Sequence, residues 1–192
     1  MAITLTLNYL LSKFEKYDID WNAGVNQNFD DLDLILTRLD LRNEILHVQH
    51  TTAAGTDGGD LNITWTTRPL NTTMLNTVTG GSVGANQVTL PAGTYWVEGR
   101  GEAYSCDNHR CRVYDVTNTA DLLVGLSARA KVSYLDASYS SVVGRIVLTA
   151  ETVIELQHIC QTAKTASGLG KNTNLDSKGE IYGELIFRRE AI

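Results

Sequence analysis

The segment Thr94 to Tyr104, TYWVEGRGEAY, alternates without a break. Tyr95, Val97, Gly99, Gly101 and Ala103 fall on one side; Trp96, Glu98, Arg100, Glu102 and Tyr104 fall on the other. A period of two with one apolar and one charged face describes an antiparallel strand covered on one side only. The same period returns in GEIYGELIFRR, where Ile181, Gly183, Leu185 and Phe187 oppose Tyr182, Glu184, Ile186 and Arg188. Between them lie the run around Cys111 and Val113, then DLLVGLSA, SSVVGRIVLT and TVIELQHIC, separated by turn residues. Strand-sized runs recur roughly every 8–15 residues, which predicts a mainly β chain folded as a sandwich or jelly roll. Pro91-Ala92-Gly93 supplies a tight lead-in to the Tyr95 strand.

The front of the chain obeys a different period. Phe29, Leu32, Leu36, Leu39, Asn43 and Leu46 follow a three-four alternation, and Val25 precedes them in the same frame. That spacing predicts an N-terminal α-helix with a short coiled-coil seam of about three heptads. Asp30, Asp31 and Asp33 crowd its first turns, as a helix N-terminus favours. Asn43 would be a polar residue at a seam position, a substitution that fixes register at some cost in stability. Leu34, Ile35, Leu41 and Ile45 lie off the seam, so packing on the chain's own body competes with self-association. His47 and His50 fall at the end of this expected helix. Residues 1–50 are therefore read as a self-associating segment, whose leucines do not choose between two, three or four strands, and 51–192 as the head, joined by the Gly- and Thr-rich stretch from Thr51 to Asn62.

The 192 residues are 43% hydrophobic and 20% charged, a globular composition. A net charge of −6 argues against a surface that tracks nucleic-acid phosphates. No apolar run reaches the ~20 residues needed to span a bilayer, and the opening MAITLTLNYLLSKFEKYD lacks a basic leader and a cleavage site. No membrane insertion and no export signal are expected, and the three cysteines, Cys106, Cys111 and Cys160, are expected to stay free thiols.

Several stretches carry a resemblance. They are TWTTRPLNTTMLNT, VTLPAGTYWVEGRGEAYSCDNHRCRVYDVTNTADLLVG, SSVVGRIVLTAETVIELQH and the terminal GEIYGELIFRR. The cues within them are Trp65-x2-Arg68-x-Leu70-Asn71, Leu90-x2-Gly93-x-Tyr95 and Arg110-x-Arg112-x-Tyr114. Together they resemble the jelly-roll heads of bacteriophage virion proteins, which are similar in layout to tumour-necrosis-factor and complement-type globular modules. Asp20-Trp21-Asn22, Val25-Asn26-x-Asn28-Phe29 and Leu32-Asp33 resemble N-terminal segments of phage fibre and appendage proteins. The resemblance implies a homotrimer made in the host cytoplasm and built into a virion, with residues 1–50 as its anchoring and trimerisation segment. The role it implies is non-enzymatic: a short fibre that binds the host surface or, alternatively, a decoration protein that cements the shell. Trp21, Asn22 and Asn26 would anchor it to other virion proteins.

The search for chemistry finds no nucleophile elbow, phosphate loop or zinc-protease helix, and no catalytic residue or cofactor is assigned. The DIDWNAGVN segment fails the calcium-loop pattern, with Ala23 at the turn glycine and Phe29 at the bidentate glutamate. Cys106, His109, Cys111, His158 and Cys160 are zinc-type ligands, but the Cys106-x4-Cys111 interval is loose for a hairpin, and no metal site is assigned. Tyr134 and Tyr139, within the polar stretch from Ser127 to Ser141, are the candidates for contact with a host glycan or protein; a plain connecting hairpin fits that stretch equally well.

Overall fold

The computed structural model describes residues 27–36 and 44–190. Twelve strands follow in chain order: β1 (Ile45–Thr52), β2 (Thr66–Thr67), β3 (Thr72–Asn76), β4 (Ser82–Gly84), β5 (Gln87–Leu90), β6 (Gly93–Tyr104), β7 (Asp107–Asp115), β8 (Ala120–Val124), β9 (Ala128–Ala130), β10 (Ala137–Leu148), β11 (Thr152–Cys160) and β12 (Glu180–Glu190). They form two sheets, with every described pairing antiparallel. One sheet runs β10-β6-β12-β1-β3; the other runs β4-β5-β11-β7-β8, with β2 on β11 and β9 on β7.

With β2, β3, β4 and β9 set aside, the first sheet holds the sixth, third, eighth and first of the remaining strands in space, and the second holds the second, seventh, fourth and fifth. That order is the double Greek key of a jelly roll. The inward residues of the two sheets meet in one apolar core. Leu46, Val48, Tyr95, Val97, Val142, Ile146, Leu185 and Phe187 come from the first sheet. Val88, Leu90, Cys111, Val113, Ile154 and Leu156 come from the second. A smaller cluster at one end joins Leu61, Ala103, Cys106, Ala130, Cys160 and Leu169. β4 and β5 turn through Ala85 and Asn86, both left-handed at φ 51° and 66°, as a two-residue type I′ hairpin requires.

β1 corrects one expectation. Leu46 is not a seam residue on a helix: it sits in a strand, fully buried against the sandwich core. ILHVQH supports either period on paper, and the sheet takes it because Leu46, Val48 and His50 alternate inward. The β body thus begins at Ile45 rather than at Thr51, and His47 and His50 are strand residues. Ile45 lies opposite Arg188, so the start of β1 and the end of β12 are side by side.

The helix is described over residues 27–36 and belongs to a different compact unit from the β body. Gln27 Nε2 donates to Asp31 Oδ1 at 3.2 Å one turn on. Ten residues make about 15 Å of helix. Leu32, Leu34, Ile35 and Leu36 are all exposed, so the apolar side chains spread around the helix rather than forming one narrow stripe. Of the expected seam, Phe29, Leu32 and Leu36 lie on this helix. Val25, Leu39 and Asn43, and the anchoring candidates Trp21, Asn22 and Asn26, lie outside the described residues.

Candidate functional site

The outward face of the five-stranded sheet is built in rows by the strand register. One row reads Leu75, His47, Ile186, Glu98, Val143 from β3 to β10. The next reads Thr72, Gln49, Glu184, Arg100, Ser141, and on the other side lies Ile45, Arg188, Trp96, Arg145. Apolar side chains on this face are left in solvent: Val143 is 57% exposed, Val147 60% and Trp96 40%. A shallow cleft lies between Arg100, Ser141, Val143, Glu184 and Ile186.

The charges on the face are matched within one chain. Glu98 meets Arg188 at 2.5 Å, Glu184 meets Arg100 at 2.8 Å, and Glu190 meets Arg145 at 2.6 Å. His47 Nε2 and Gln49 Nε2 also reach Glu184, at 3.2 and 3.3 Å. The indole N–H of Trp96 donates to Glu98 at 3.2 Å. Each pair is part-exposed and contributes little to folding. Their effect is on the field: a chain of net charge −6 carries one broad face that is close to neutral.

Beneath this face lies a polar cluster that the sequence did not announce. Arg68, just past β2, is completely buried. Its Nη1 donates to Leu169 O at 3.0 Å, Tyr182 O at 3.1 Å and His50 Nδ1 at 3.1 Å. Its Nη2 donates to Glu102 O and to His158 Nδ1, the latter at 2.8 Å. Its Nε has no partner among the described residues. None of these acceptors is a carboxylate, so carbonyl and imidazole lone pairs solvate the cation in place of water. Burial pulls the guanidinium down to about 10, still protonated at neutral pH.

A guanidinium can only donate, and that fixes every tautomer behind it. His158 Nδ1 accepts, so its proton sits on Nε2, which donates to His109 Nδ1 at 2.9 Å. His109 then carries its proton on Nε2 and donates to Ser138 Oγ at 2.7 Å. Burial, reinforced by the nearby Arg68 charge, lowers His50 to about 3 and His109 to about 4 and keeps His158 well below its ordinary value. The Ser138–His109 contact has the length of a nucleophile–base pair but the wrong direction. His109 donates its proton there and cannot take one from the hydroxyl.

Space for Arg68 comes from two glycines paired across β6 and β12, Gly101 and Gly183. A Cβ on Gly101 would lie 2.7 Å from Arg68 Nε, and one on Gly183 would lie 2.8 Å from Arg68 Cδ. Above it, Glu102 turns its carboxylate outward, where Tyr139 Oη donates at 3.0 Å and the backbone N–H of Lys171 at 3.2 Å. Burial raises the Glu102 carboxyl despite these donors and the nearby Arg68.

The two tyrosines picked from the sequence take different places. Tyr139 is on β10, exposed on the outward face and tied to Glu102. Tyr134 ends a 3-10 turn, Val132–Tyr134, and is 71% exposed, with the Lys131 ammonium 4.2 Å over its ring. On the other sheet Arg112 is sandwiched between Trp65 and Tyr114, at 4.0 and 4.2 Å. Those ring faces are thereby occupied. His158 is buried in the Arg68 cluster, and all three cysteines are free and buried. Among the described residues, no three His, Cys, Asp or Glu side chains converge as a metal set.

No protein-family model and no curated protein matches the chain. Among solved structures it is similar to murine APRIL at pH 8.0, with 11% identity over 76% of this chain and 98% of that chain, at a TM-score of 0.47. Murine APRIL at pH 5.0 gives 9% identity over the same shares and a TM-score of 0.48. The globular domain of zebrafish complement 1qA protein gives 10% identity over 75% of this chain and 94% of that chain, at 0.46. The jelly-roll assignment stands on the strand order itself.

Proposed function

We propose that this chain is a non-enzymatic assembly and binding protein, a homotrimer that presents its jelly-roll head as a short appendage of a virion. The observation that carries the reading is the outward face of the β10-β6-β12-β1-β3 sheet. It combines exposed Val143, Val147, Trp96 and Leu75 with ion pairs closed within one chain. Sister copies that meet there bury apolar area and bring no net like charge together. The exposed Leu32 and Leu36 of the helix give a second apolar surface for the same assembly. Three weak surface contacts held in one particle gain avidity, because the second and third become intramolecular. The virion assignment is supported by the resemblance of the quoted head and N-terminal segments to phage appendage proteins.

Light scattering on the full chain tests assembly. A mass three times the 21.1 kDa of one chain is expected. Val143→Glu combined with Val147→Glu should lower that mass, and a wild-type monomer at tens of micromolar would end the proposal. Incubation with host cells against empty shells then divides the two virion roles: a host-binding appendage sticks to cells, a cement protein to shells.

A further inference from the structure

We propose that Cys106 and Cys160 form an oxidative modification site: their thiols close to a disulfide that ties the β6–β7 link to the end of β11, while Cys111 stays a thiol. The backbone sets the pair. Cys106 occupies the two-residue link between β6 and β7, and Cys160 is the last residue of β11, opposite His109 of β7. The pairing continues past the strand ends, with Gln161 N donating to Asn108 O at 2.8 Å and Thr162 N to Cys106 O at 3.0 Å. Both thiols enter the small apolar cluster with Leu61, Ala103, Ala130 and Leu169 and lie against each other there, the Cys160 Sγ also donating to Asn62 O and Thr162 O at 3.2 Å each.

The link holds Cys106 in place at a conformational cost. Ser105 and Asp107, on either side of it, are both left-handed at φ 48° and 60°. Four contacts keep them so. Ser105 N donates to Asp136 O and Cys106 N to Ala130 O, both at 2.9 Å. Asp107 accepts from Val132 N at 3.3 Å and from Thr162 Oγ1 at 2.9 Å. A turn fixed on both sides holds the Cys106 backbone beside the end of β11, where Thr162 N donates to Cys106 O.

The two sulfurs are not equivalent. Cys160 lines a surface cleft with Asn108, His109, Arg110, Ser127 and Ile159, and is slightly exposed, whereas Cys106 is fully buried. The contact with Cys160 and burial both push the Cys106 thiol up, and the more accessible Cys160 is the sulfur an oxidant reaches first. Cys160 is therefore the attacking sulfur and Cys106 the resolving one. With glutathione disulfide as oxidant, the Cys160 thiolate attacks one glutathione sulfur. A mixed disulfide forms, and the other glutathione leaves as a thiolate that takes up a proton. Cys106 then loses its proton and attacks the Cys160 sulfur, releasing the second glutathione as thiol. Two protein thiols are oxidised by two electrons and one glutathione disulfide is reduced to two thiols. Among the described residues no second sulfur pairs with Cys111, whose Sγ hydrogen-bonds to Ser140 O and Oγ, each at 3.2 Å, in the main core.

The test uses the full wild-type chain, incubated in glutathione disulfide or in reduced glutathione, alkylated under native conditions and mapped without reduction. The expected product is one peptide pair linked through Cys106 and Cys160, two hydrogens lighter, with Cys111 alkylated only after unfolding. The oxidised chain should melt on the order of 5–10 °C higher, and dithiothreitol should reverse the shift. Cys111→Ala should still form the link, and Cys106→Ser should stop at the mixed disulfide on Cys160. Three unmodified thiols after oxidation, a link through Cys111, or an unresolved mixed disulfide in the wild type would each overturn the proposal.

Discussion

Arg68 and Gly101 share one space: a single added carbon on the glycine would stand 2.7 Å from the arginine Nε. The guanidinium cannot retreat, because five acceptors from β1, β6, β11, β12 and the segment before β12 hold it. The sheet that carries the proposed assembly face is therefore fixed from below by one side chain from the other layer.

Gly101→Ala and Gly183→Ala should each destabilise the head by about 1–3 kcal/mol, the cost of overpacking a full core. Gly84→Ala is the control, since nothing lies within 4 Å of its added carbon. Thermal melting separates them, with a fall of about 2–4 °C for each kcal/mol in a domain of this size. Equal melting temperatures for all three variants would contradict the packing described here.

Arg68→Met should cost more, about 3 kcal/mol or above. It strands the carbonyls of Glu102, Leu169 and Tyr182 and two imidazoles without a donor. Arg68→Lys should recover only part of the loss, because one ammonium cannot reproduce the two-pronged fork. Urea midpoints provide the measurement, and a methionine variant as stable as wild type would show that the cluster contributes nothing.

Stability should fall as pH drops below about 6.5. His50, near 3, His109, near 4, and the lowered His158 are neutral when folded, while the unfolded chain takes up their protons first. Each contributes stability fully present above 6.5 and lost toward its folded value, at up to about 1.4 kcal/mol per pH unit. Glu102 acts in the opposite sense, because its raised carboxyl protonates earlier in the folded chain and offsets part of the loss. Urea midpoints at pH 7.5, 6, 5 and 4 should decline steadily; a flat series would mean that the three rings are not held neutral.

Reversing one charge on the outward face should weaken assembly without unfolding the head. Arg188→Glu opposes Glu98 and removes the local balance. Sedimentation should show a lower mass at low salt that recovers in part as salt screens the repulsion. An unchanged mass with Arg188→Glu would place the copy-to-copy contact elsewhere.

The long strands were legible because one of their faces is buried and the other is not. TVIELQHIC coincides with β11, and TYWVEGRGEAY and GEIYGELIFRR fall within a residue or two of β6 and β12. β3 was not legible: only Thr72 in it is even half-buried, so burial left no alternation to read. β1 was misread because Leu46 continues the three-four spacing of the leucines before it, while Leu46, Val48 and His50 obey the strand period. The Arg68 cluster had no linear signature. Its partners lie at positions 50, 102, 158, 169 and 182, and only the closed sandwich brings them together. The two glycines in mid-strand were the available hint, since glycine there marks a close approach of other atoms.

The antiparallel neighbourhood of Ile45 and Arg188 governs how the head can be used. The leading end of β1 and the trailing end of β12 share one pole of the β body. A fusion partner or affinity tag joined at the end of β12 would emerge beside the first residues of β1. Cargo for display belongs instead in a connecting turn such as the one around Asn118, where β7 hands over to β8 and where the backbone already reverses at the surface.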